Sequence, residues 1–138
     1  MITRFQKHLF VAVALLVAFC ANATADDKPD FKFFNEKIGP VLEKNCYKCH
    51  SAKAEEVQGN LLLDTREGIR KGGDNGPAIV PEDVEKSFLL RAIKYVEEDY
   101  QMPPSGKLSD AIIADFVKWV EMGAPDPRDE PKPKRPRR

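Results

Sequence analysis

A short cluster of reactive residues constrains this chain more than any other feature. Residues 46–50 have the sequence Cys-Tyr-Lys-Cys-His. This spacing places two thiols about one helical turn apart and sets an imidazole directly after them. Such a segment can form thioethers to the two vinyl groups at one porphyrin edge and present its histidine to the iron. The motif therefore predicts one covalently attached haem c, with Cys46 and Cys49 as thioether donors and His50 as the proximal iron ligand.

Two other uses of a Cys-x-x-Cys segment fit this sequence less well. A structural zinc site needs about four protein ligands, and after residue 25 the chain has no Cys or His other than Cys46, Cys49 and His50. A thioredoxin-like redox pair opens a helix after a strand, whereas this motif follows a helical pattern. Haem attachment is the interpretation that the sequence favours.

The sixth iron ligand has two candidates after residue 25, Met102 and Met122. Met102 lies in a polar loop, and the prolines at 103 and 104 restrict the chain there and favour an extended conformation. A rigid loop that presents sulfur suits the Met/His ligation that raises haem potentials. We predict Met102 as the distal ligand and expect Met122 to pack near a helix end. A five-coordinate iron, or one bound by a lysine, stays open as an alternative.

The first 25 residues have the layout of a secretory signal peptide. They contain two bases and no acid, followed by the thirteen apolar residues Leu9–Ala21 and a small-x-small segment at 23–25. Cleavage is expected before Asp26. As a helix the apolar run spans about 20 Å, short of the roughly 30 Å hydrocarbon core, so an uncleaved membrane anchor is less favoured. These features predict export to the periplasm.

The formal charge of zero hides an uneven distribution of charge. Residues 26–127 carry 14 bases and 20 acids, whereas residues 128–138 carry six bases and two acids. Residues 124–138 contain five prolines and no large apolar side chain, which predicts a disordered tail after a folded domain at 26–123. No nucleic-acid partner is predicted. The basic tail suits contact with an anionic surface or partner.

Three segments of the body have the apolar periodicity of helices. The first leads from the N-cap Asp30 to the haem motif, with a kink expected at Gly39-Pro40. The second is predicted from about Asp83 to Val96. The third follows the N-cap Ser109 and ends at Gly123.

The region between the haem motif and the second helix is the least helical. A small helical turn is expected at Thr65–Lys71, flanked by short strands at Leu61–Leu63 and Ala78–Val80. The glycine-rich bend at 72–77 lacks the Gly-Lys-Ser/Thr of a phosphate loop, so a tight turn near the haem is expected. We hypothesise that a backbone carbonyl of this loop, for example that of Pro77, accepts the hydrogen bond from Nδ1 of His50.

Segments along most of the body resemble the planctomycete-type cytochrome c domain. They extend from Phe33 to Arg128 and include Ile38-Gly39-Pro40-Val41-Leu42, the haem motif with Ser51, Leu63-Asp64-Thr65-Arg66, Lys71-Gly72-Gly73, Gly76-Pro77-Ala78, Met102-Pro103-Pro104 and Met122-Gly123-Ala124-Pro125-Asp126-Pro127-Arg128. The resemblance implies a mainly α, class I-like cytochrome c fold with about three main helices, a short hairpin or loop insert and covalent haem. It also implies iron ligation by His50 and Met102.

Together these features predict a monomeric electron carrier that exchanges single electrons with periplasmic redox proteins. The acidic run Glu97-Glu98-Asp99 near the methionine loop has two interpretations: a solvated acidic face, which is the more common meaning of such a run, or a surface that steers a basic partner. Two alternatives stay open. One is a haem enzyme with an open distal position for peroxide or gas chemistry, for which the chain lacks a second histidine after residue 25. The other is a docking module that delivers electrons to one dedicated complex.

Overall fold

The computed structural model describes residues 31–128, and this part of the chain is mainly helical. Its α-helices are α1 (Gly39–Asn45), α2 (Arg66–Lys71), α3 (Phe88–Lys94) and α4 (Asp110–Glu121). A π-helix, Phe34–Ile38, precedes α1, and two 3₁₀ turns lie at Gln58–Asn60 and Glu98–Tyr100. No helix among these residues is long and apolar enough to cross a membrane. The predicted signal peptide, 1–25, and the end of the predicted tail, 129–138, lie outside the described residues.

The first helical segment changes type at Gly39-Pro40, the step where the sequence predicts a kink. Pro40 has no backbone N–H and therefore cannot donate a helical hydrogen bond. The N–H of Gly39 donates to the carbonyl of Phe34, five residues earlier, which gives the wider turn of a π-helix. Phe34 and Leu42 are both buried. The segment therefore packs one face on the core and delivers the chain to the haem motif at its end.

The third predicted helix, α4, has local signals at both ends. The hydroxyl of Ser109 accepts a hydrogen bond from the N–H of Ile112 (3.4 Å). Gly123 has a φ of +86°, and the N–H groups of Gly123 and Ala124 donate to the last carbonyls of the helix, as in a Schellman motif. The helix thus lies between the two residues that the sequence predicts as its limits.

Trp119 of α4 lies at the centre of the core, with no exposed surface. Its ring centroid is 5.6 Å from that of Phe34 and 6.2 Å from that of Phe116. The indole N–H donates to the carbonyl of Pro125 (2.9 Å), so the buried ring keeps no unpaired donor. α4 consequently joins the π-helix, α3 and the chain that follows residue 123.

The two short strands predicted at Leu61–Leu63 and Ala78–Val80 are wrong, because residues 31–128 contain only isolated β-bridges. The N–H of Leu63 donates to the carbonyl of His50 (2.8 Å). In the second segment, the N–H of Ile79 donates to the carbonyl of Ile69 in α2 (3.0 Å). Both segments supply apolar side chains to the core, but their backbones bond to a turn and a helix instead of to each other.

The second predicted helix, α3, is shorter than the predicted Asp83–Val96. Ser87 is fully buried, and its hydroxyl donates to the carbonyl of Asp83 (2.7 Å) and accepts from the N–H of Val80 (2.9 Å). These bonds tie the residues before Ser87 into a turn, so the helix begins only at Phe88. At the other end, Tyr95 has a φ of +61°, a left-handed conformation that stops a helix.

The packed structure continues past residue 123, where the sequence places the end of the domain. Ala124 and Asp126 are each 1% exposed, and Asp126 forms an ion pair with Arg128. The start of the predicted disordered tail, 124–138, is therefore part of the packed structure. Composition missed this because the segment is held by backbone carbonyls and a buried ion pair, which need no large apolar side chain.

Candidate functional site

One cavity of about 400 Å³ brings together all four residues predicted to bind haem. Cys46, Cys49 and His50 line it, and so does Met102. Its apolar wall includes Leu61, Leu63, Phe88, Leu89, Ala92 and Ile93. Cofactor sites of about 300–1,000 Å³ with mostly apolar walls and a few placed polar groups are typical in proteins. Size and lining therefore suit a large apolar cofactor.

The Cys-x-x-Cys-His motif forms a tight turn directly after α1. The N–H of Cys46 donates to the carbonyl of Leu42 (2.9 Å), which continues the helical bonding of α1. The N–H of His50 donates to the carbonyl of Cys46 (2.9 Å), a bond across four residues as in an α-helix. Cys46 and His50 therefore lie one turn apart, and both reach the same cavity.

Cys46 and Cys49 are free thiols in different surroundings. Cys46 is half-buried, and burial, followed by the charge of Cys49, raises the pKa of its thiol to about 11. Cys49 is exposed. In redox-active Cys-x-x-Cys pairs the pKa of one thiol is lowered instead of raised, so that this thiol forms a thiolate. The surroundings of Cys46 are thus unlike those of a thioredoxin-type pair.

The ring of His50 is oriented by the carbonyl of Gln58, which lies 3.1 Å from Nδ1. The hypothesis that Pro77 provides this carbonyl is therefore wrong. The loop of Gln58 comes only eight residues after His50 and folds back on the motif, whereas Pro77 is exposed. With its proton on Nδ1, the imidazole donates to Gln58 and keeps the lone pair of Nε2 for a metal.

The Gln58 loop is held against the motif by backbone contacts. The N–H of Gln58 donates to the carbonyl of Cys49 (3.0 Å), and the N–H of Asp74 donates to that of Gly59 (2.9 Å). A Cβ at position 73 would lie 2.1 Å from the Gly59 carbonyl oxygen, so Gly73 permits this close approach. The glycine-rich bend lines the cavity and supports the histidine's acceptor.

Met102 reaches the cavity from the loop between α3 and α4 and is half-buried. Its N–H donates to the carbonyl of Ala92 in α3 (3.2 Å). The peptide bond to Pro103 is cis, and Pro103 is buried. The loop is therefore anchored on both sides of the methionine, in agreement with the rigid loop that the prolines predict.

Tyr95 is a further contact of the methionine loop that the sequence did not indicate. Its hydroxyl donates to the carbonyl of Pro103. Because Tyr95 is the left-handed residue at the end of α3, its side chain turns back toward the loop that follows. The helical periodicity placed this residue inside a helix and concealed its role.

Met122 does not line the cavity and is 45% exposed, so the expectation that it packs is wrong. It follows the last residue of α4 as the C-cap, where the chain turns at Gly123 and leaves the side chain at the surface. The structure thus brings only one of the two candidate methionines to the site.

The acidic run lies next to the cavity, and one of its charges is paired. Glu97 forms an ion pair with Arg91 of α3. Glu98 and Asp99 are exposed, while Tyr100 lines the cavity. Two exposed carboxylates therefore lie close in sequence to a residue of the cavity wall.

A mainly helical domain with a Cys-x-x-Cys-His turn and a methionine loop around one apolar cavity has the organisation of a c-type cytochrome. Residues 46–106 match the model of the family described as Planctomycete cytochrome C. The match begins at Cys46 and includes Met102. It confirms the family suggested by the sequence and indicates a haem electron-transfer role. No curated protein and no solved structure matches the chain.

Proposed function

We propose that this protein is an exported c-type cytochrome that carries single electrons by means of one covalently bound haem c. The observation that carries the proposal is the convergence of the motif and Met102 on one apolar cavity, although they are far apart in the sequence. The donor set fits haem because it offers two thiols, an imidazole and a thioether. Among residues 31–128, Asp74 contributes the only carboxylate to the cavity lining.

In this proposal, Cys46 and Cys49 each add across one vinyl double bond of the porphyrin. Each sulfur would bond to one vinyl carbon and the thiol hydrogen would go to the other, so no atom would be lost and no oxidant or reductant would be needed. The product has the mass of the processed chain plus one intact haem. Two thioethers also keep His50 beside the iron at a high effective concentration.

His50 and Met102 are the proposed axial ligands. His50 binds through Nε2, and its hydrogen bond to Gln58 fixes the tautomer and orientation of the ring. Met102 offers a soft thioether sulfur, which favours ferrous over ferric iron and raises the reduction potential. A haem held by these residues supplies a one-electron redox couple. The apolar residues of the cavity wall would keep water from the iron and would add to the same preference for the ferrous form.

Export to the periplasm, a monomeric state and exchange with periplasmic redox proteins are parts of the proposal that rest on the sequence. The signal-peptide pattern at 1–25 supports export. The exposure of Cys49 supports electron exchange at the surface, since a group attached there is accessible to a partner. The five bases of residues 129–138 support contact with an anionic surface or partner.

The deciding experiment measures the intact mass and optical spectrum of the protein expressed with its own leader in a host that attaches haem c. We expect the mass of residues 26–138 plus one haem, and a low-spin spectrum with a methionine–sulfur band in the ferric state. A protein without covalent haem contradicts the proposal. Retention of residues 1–25 in the mature protein contradicts only the predicted cleavage.

The same preparation separates the electron carrier from the other two functions. A high-spin haem that binds carbon monoxide readily in the unmodified protein favours an enzyme with an open distal position. A truncation after Arg128 that abolishes partner binding and leaves the spectrum unchanged favours a dedicated docking module. For a carrier, we expect little carbon monoxide binding and electron exchange with more than one small redox protein.

A further inference from the structure

The guanidinium of Arg128 connects the C-terminal segment to the haem motif. Its Nη1 donates to the hydroxyl of Tyr47 (2.6 Å) and to the carbonyl of Leu63. Its Nε and Nη2 donate to the carboxylate of Asp126 (2.9 and 2.5 Å). The guanidinium carbon lies 4.8 Å from the ring centroid of Phe34. One side chain thus joins four separate parts of the fold.

One of these contacts reaches Tyr47 inside the haem motif, and another reaches Leu63, which is hydrogen-bonded to the proximal histidine. Tyr47 is the residue between the two cysteines that directly follows Cys46. Leu63 donates its N–H to the carbonyl of His50 (2.8 Å), and its own carbonyl accepts from Arg128. The peptide groups of Leu63 therefore form a bridge from Arg128 to His50.

The ion pair that anchors this contact is well shielded from water. The side chain of Asp126 is 1% exposed and that of Arg128 is 17% exposed. Burial alone lowers the pKa of Arg128, but the hydrogen bonds and charges of Asp126 and Tyr47 outweigh burial and raise it. The guanidinium stays charged, and hydrogen bonds to a charged donor are stronger than neutral ones in such surroundings.

We propose that Arg128 is a positioning residue for the haem motif, which holds Tyr47 and Leu63 and, through Leu63, fixes the backbone of His50. This inference rests on the proposed haem function. A lysine does not replace the arginine here, because an ammonium group lacks the planar fork that meets the carboxylate, the phenol and the carbonyl together. Loosening this contact admits water beside the proximal ligand. Water favours the more highly charged ferric form and lowers the reduction potential.

The test uses the full-length holoprotein with Arg128→Lys, which keeps the charge and avoids leaving Asp126 as an unpaired buried carboxylate. Arg70→Lys is the matched control, because Arg70 also holds the C-terminal segment, by a bond to the Ala124 carbonyl (3.2 Å), without a contact to the motif. Two quantities are measured in each protein: the reduction midpoint and the hydrogen exchange of the Leu63 amide relative to the amides of α4.

In Arg128→Lys we expect a lower midpoint and about tenfold faster relative exchange at Leu63, the effect of losing one charge-assisted hydrogen bond. Tyr47→Phe, which removes one acceptor and keeps the ring, should shift both quantities less and in the same direction. Arg70→Lys should leave both unchanged. The inference is overturned if either quantity is unchanged in Arg128→Lys, or if Arg70→Lys shifts them equally. An unmodified protein without haem contradicts the proposed function alone, because Leu63 exchange still measures the Arg128 contact.

Discussion

Nδ1 of His50 lies 3.1 Å from the carbonyl oxygen of Gln58. The acceptor is a backbone atom, so no side-chain substitution at position 58 removes it. Only a displacement of the loop Gln58–Asn60 changes this contact. The loop is close-packed against the turn that contains Gly73, where a Cβ has no room. The orientation of the proximal histidine therefore depends on a glycine in a distant turn.

Gly73→Ala tests this dependence. We expect a loss of about 2–3 kcal/mol in the free energy of unfolding, because the new methyl group overlaps the Gly59 carbonyl and displaces the Gln58 loop. Denaturant unfolding of the holoprotein measures the loss, and the haem spectrum should change with it. Gly123→Ala is the control: it has a left-handed φ of +86°, the atom nearest to the added Cβ is 3.8 Å away, and the residue lies outside the cavity lining. It should cost about 1 kcal/mol through backbone strain and leave the spectrum unchanged. Equal spectral changes in the two variants would count against the proposed packing.

Met102→Ala should remove the methionine–sulfur absorption band, lower the reduction midpoint and open the sixth position to carbon monoxide. The physical reason is the loss of the soft sulfur donor that the loop presents at the cavity. Optical titration with carbon monoxide measures the change. Met122→Ala is the matched control, since Met122 is 45% exposed and outside the cavity lining. A sulfur band that survives in Met102→Ala shows that another residue is the ligand.

The local features of this chain were predictable because the residues that define them act on their near neighbours. Thr65 accepts a hydrogen bond from the N–H of Gly68 (2.9 Å) and caps α2. Ser109 does the same for α4. The motif contains three of the four cavity-lining residues that are predicted to bind haem. In each case the sequence contains both partners within a few positions, so spacing alone is sufficient evidence.

The features that escaped prediction depend on long-range contacts or on backbone atoms. The acceptor for His50 is a carbonyl, which any residue type supplies, so no signal in the sequence distinguished Gln58 from Pro77. Arg128 contacts Tyr47 across 81 positions, and its proline-rich surroundings indicated a solvated tail. The hydroxyl of Ser87 donates to the carbonyl of Asp83 in the preceding loop. As a result, α3 is shorter than its apolar periodicity predicts.

Ser87→Ala should lower the free energy of unfolding by about 2 kcal/mol. The substitution leaves the N–H of Val80 and the carbonyl of Asp83 without their buried partner, and an unpaired buried polar group costs about 1–3 kcal/mol. Chemical denaturation measures this loss. Ser109→Ala, at an exposed N-cap, is the comparison and should cost about 1 kcal/mol. A smaller loss at Ser87 than at Ser109 would contradict the role given to the buried hydroxyl.

Tyr95→Phe should weaken the anchoring of the methionine loop. The variant keeps the ring and loses the hydroxyl that donates to the Pro103 carbonyl, at a cost of about 1 kcal/mol. We expect faster carbon monoxide binding, because the loop releases the iron more often. Stopped-flow mixing of the reduced protein with carbon monoxide measures this rate. Ser109→Ala, which removes a hydroxyl from an exposed position outside the cavity lining, should leave it unchanged. Unchanged rates in both variants would mean that the Tyr95 hydroxyl has no part in holding the loop.

The exposed carboxylates of Glu98 and Asp99 should set the sign of the electrostatic potential near the cavity. Neutralising both, by Glu98→Gln with Asp99→Asn, should speed oxidation by a small anionic oxidant about two- to threefold at low salt and slow oxidation by a cationic one. Stopped-flow oxidation of the reduced protein measures both rates. The effect should fade as ionic strength rises above about 0.1 M, where the Debye length is about 10 Å.

A control with Glu85→Gln and Glu121→Gln removes the same charge from exposed positions outside the cavity lining. Equal rate changes in the two double variants would mean that net charge, and not the position of the acidic pair, governs the approach of a redox partner.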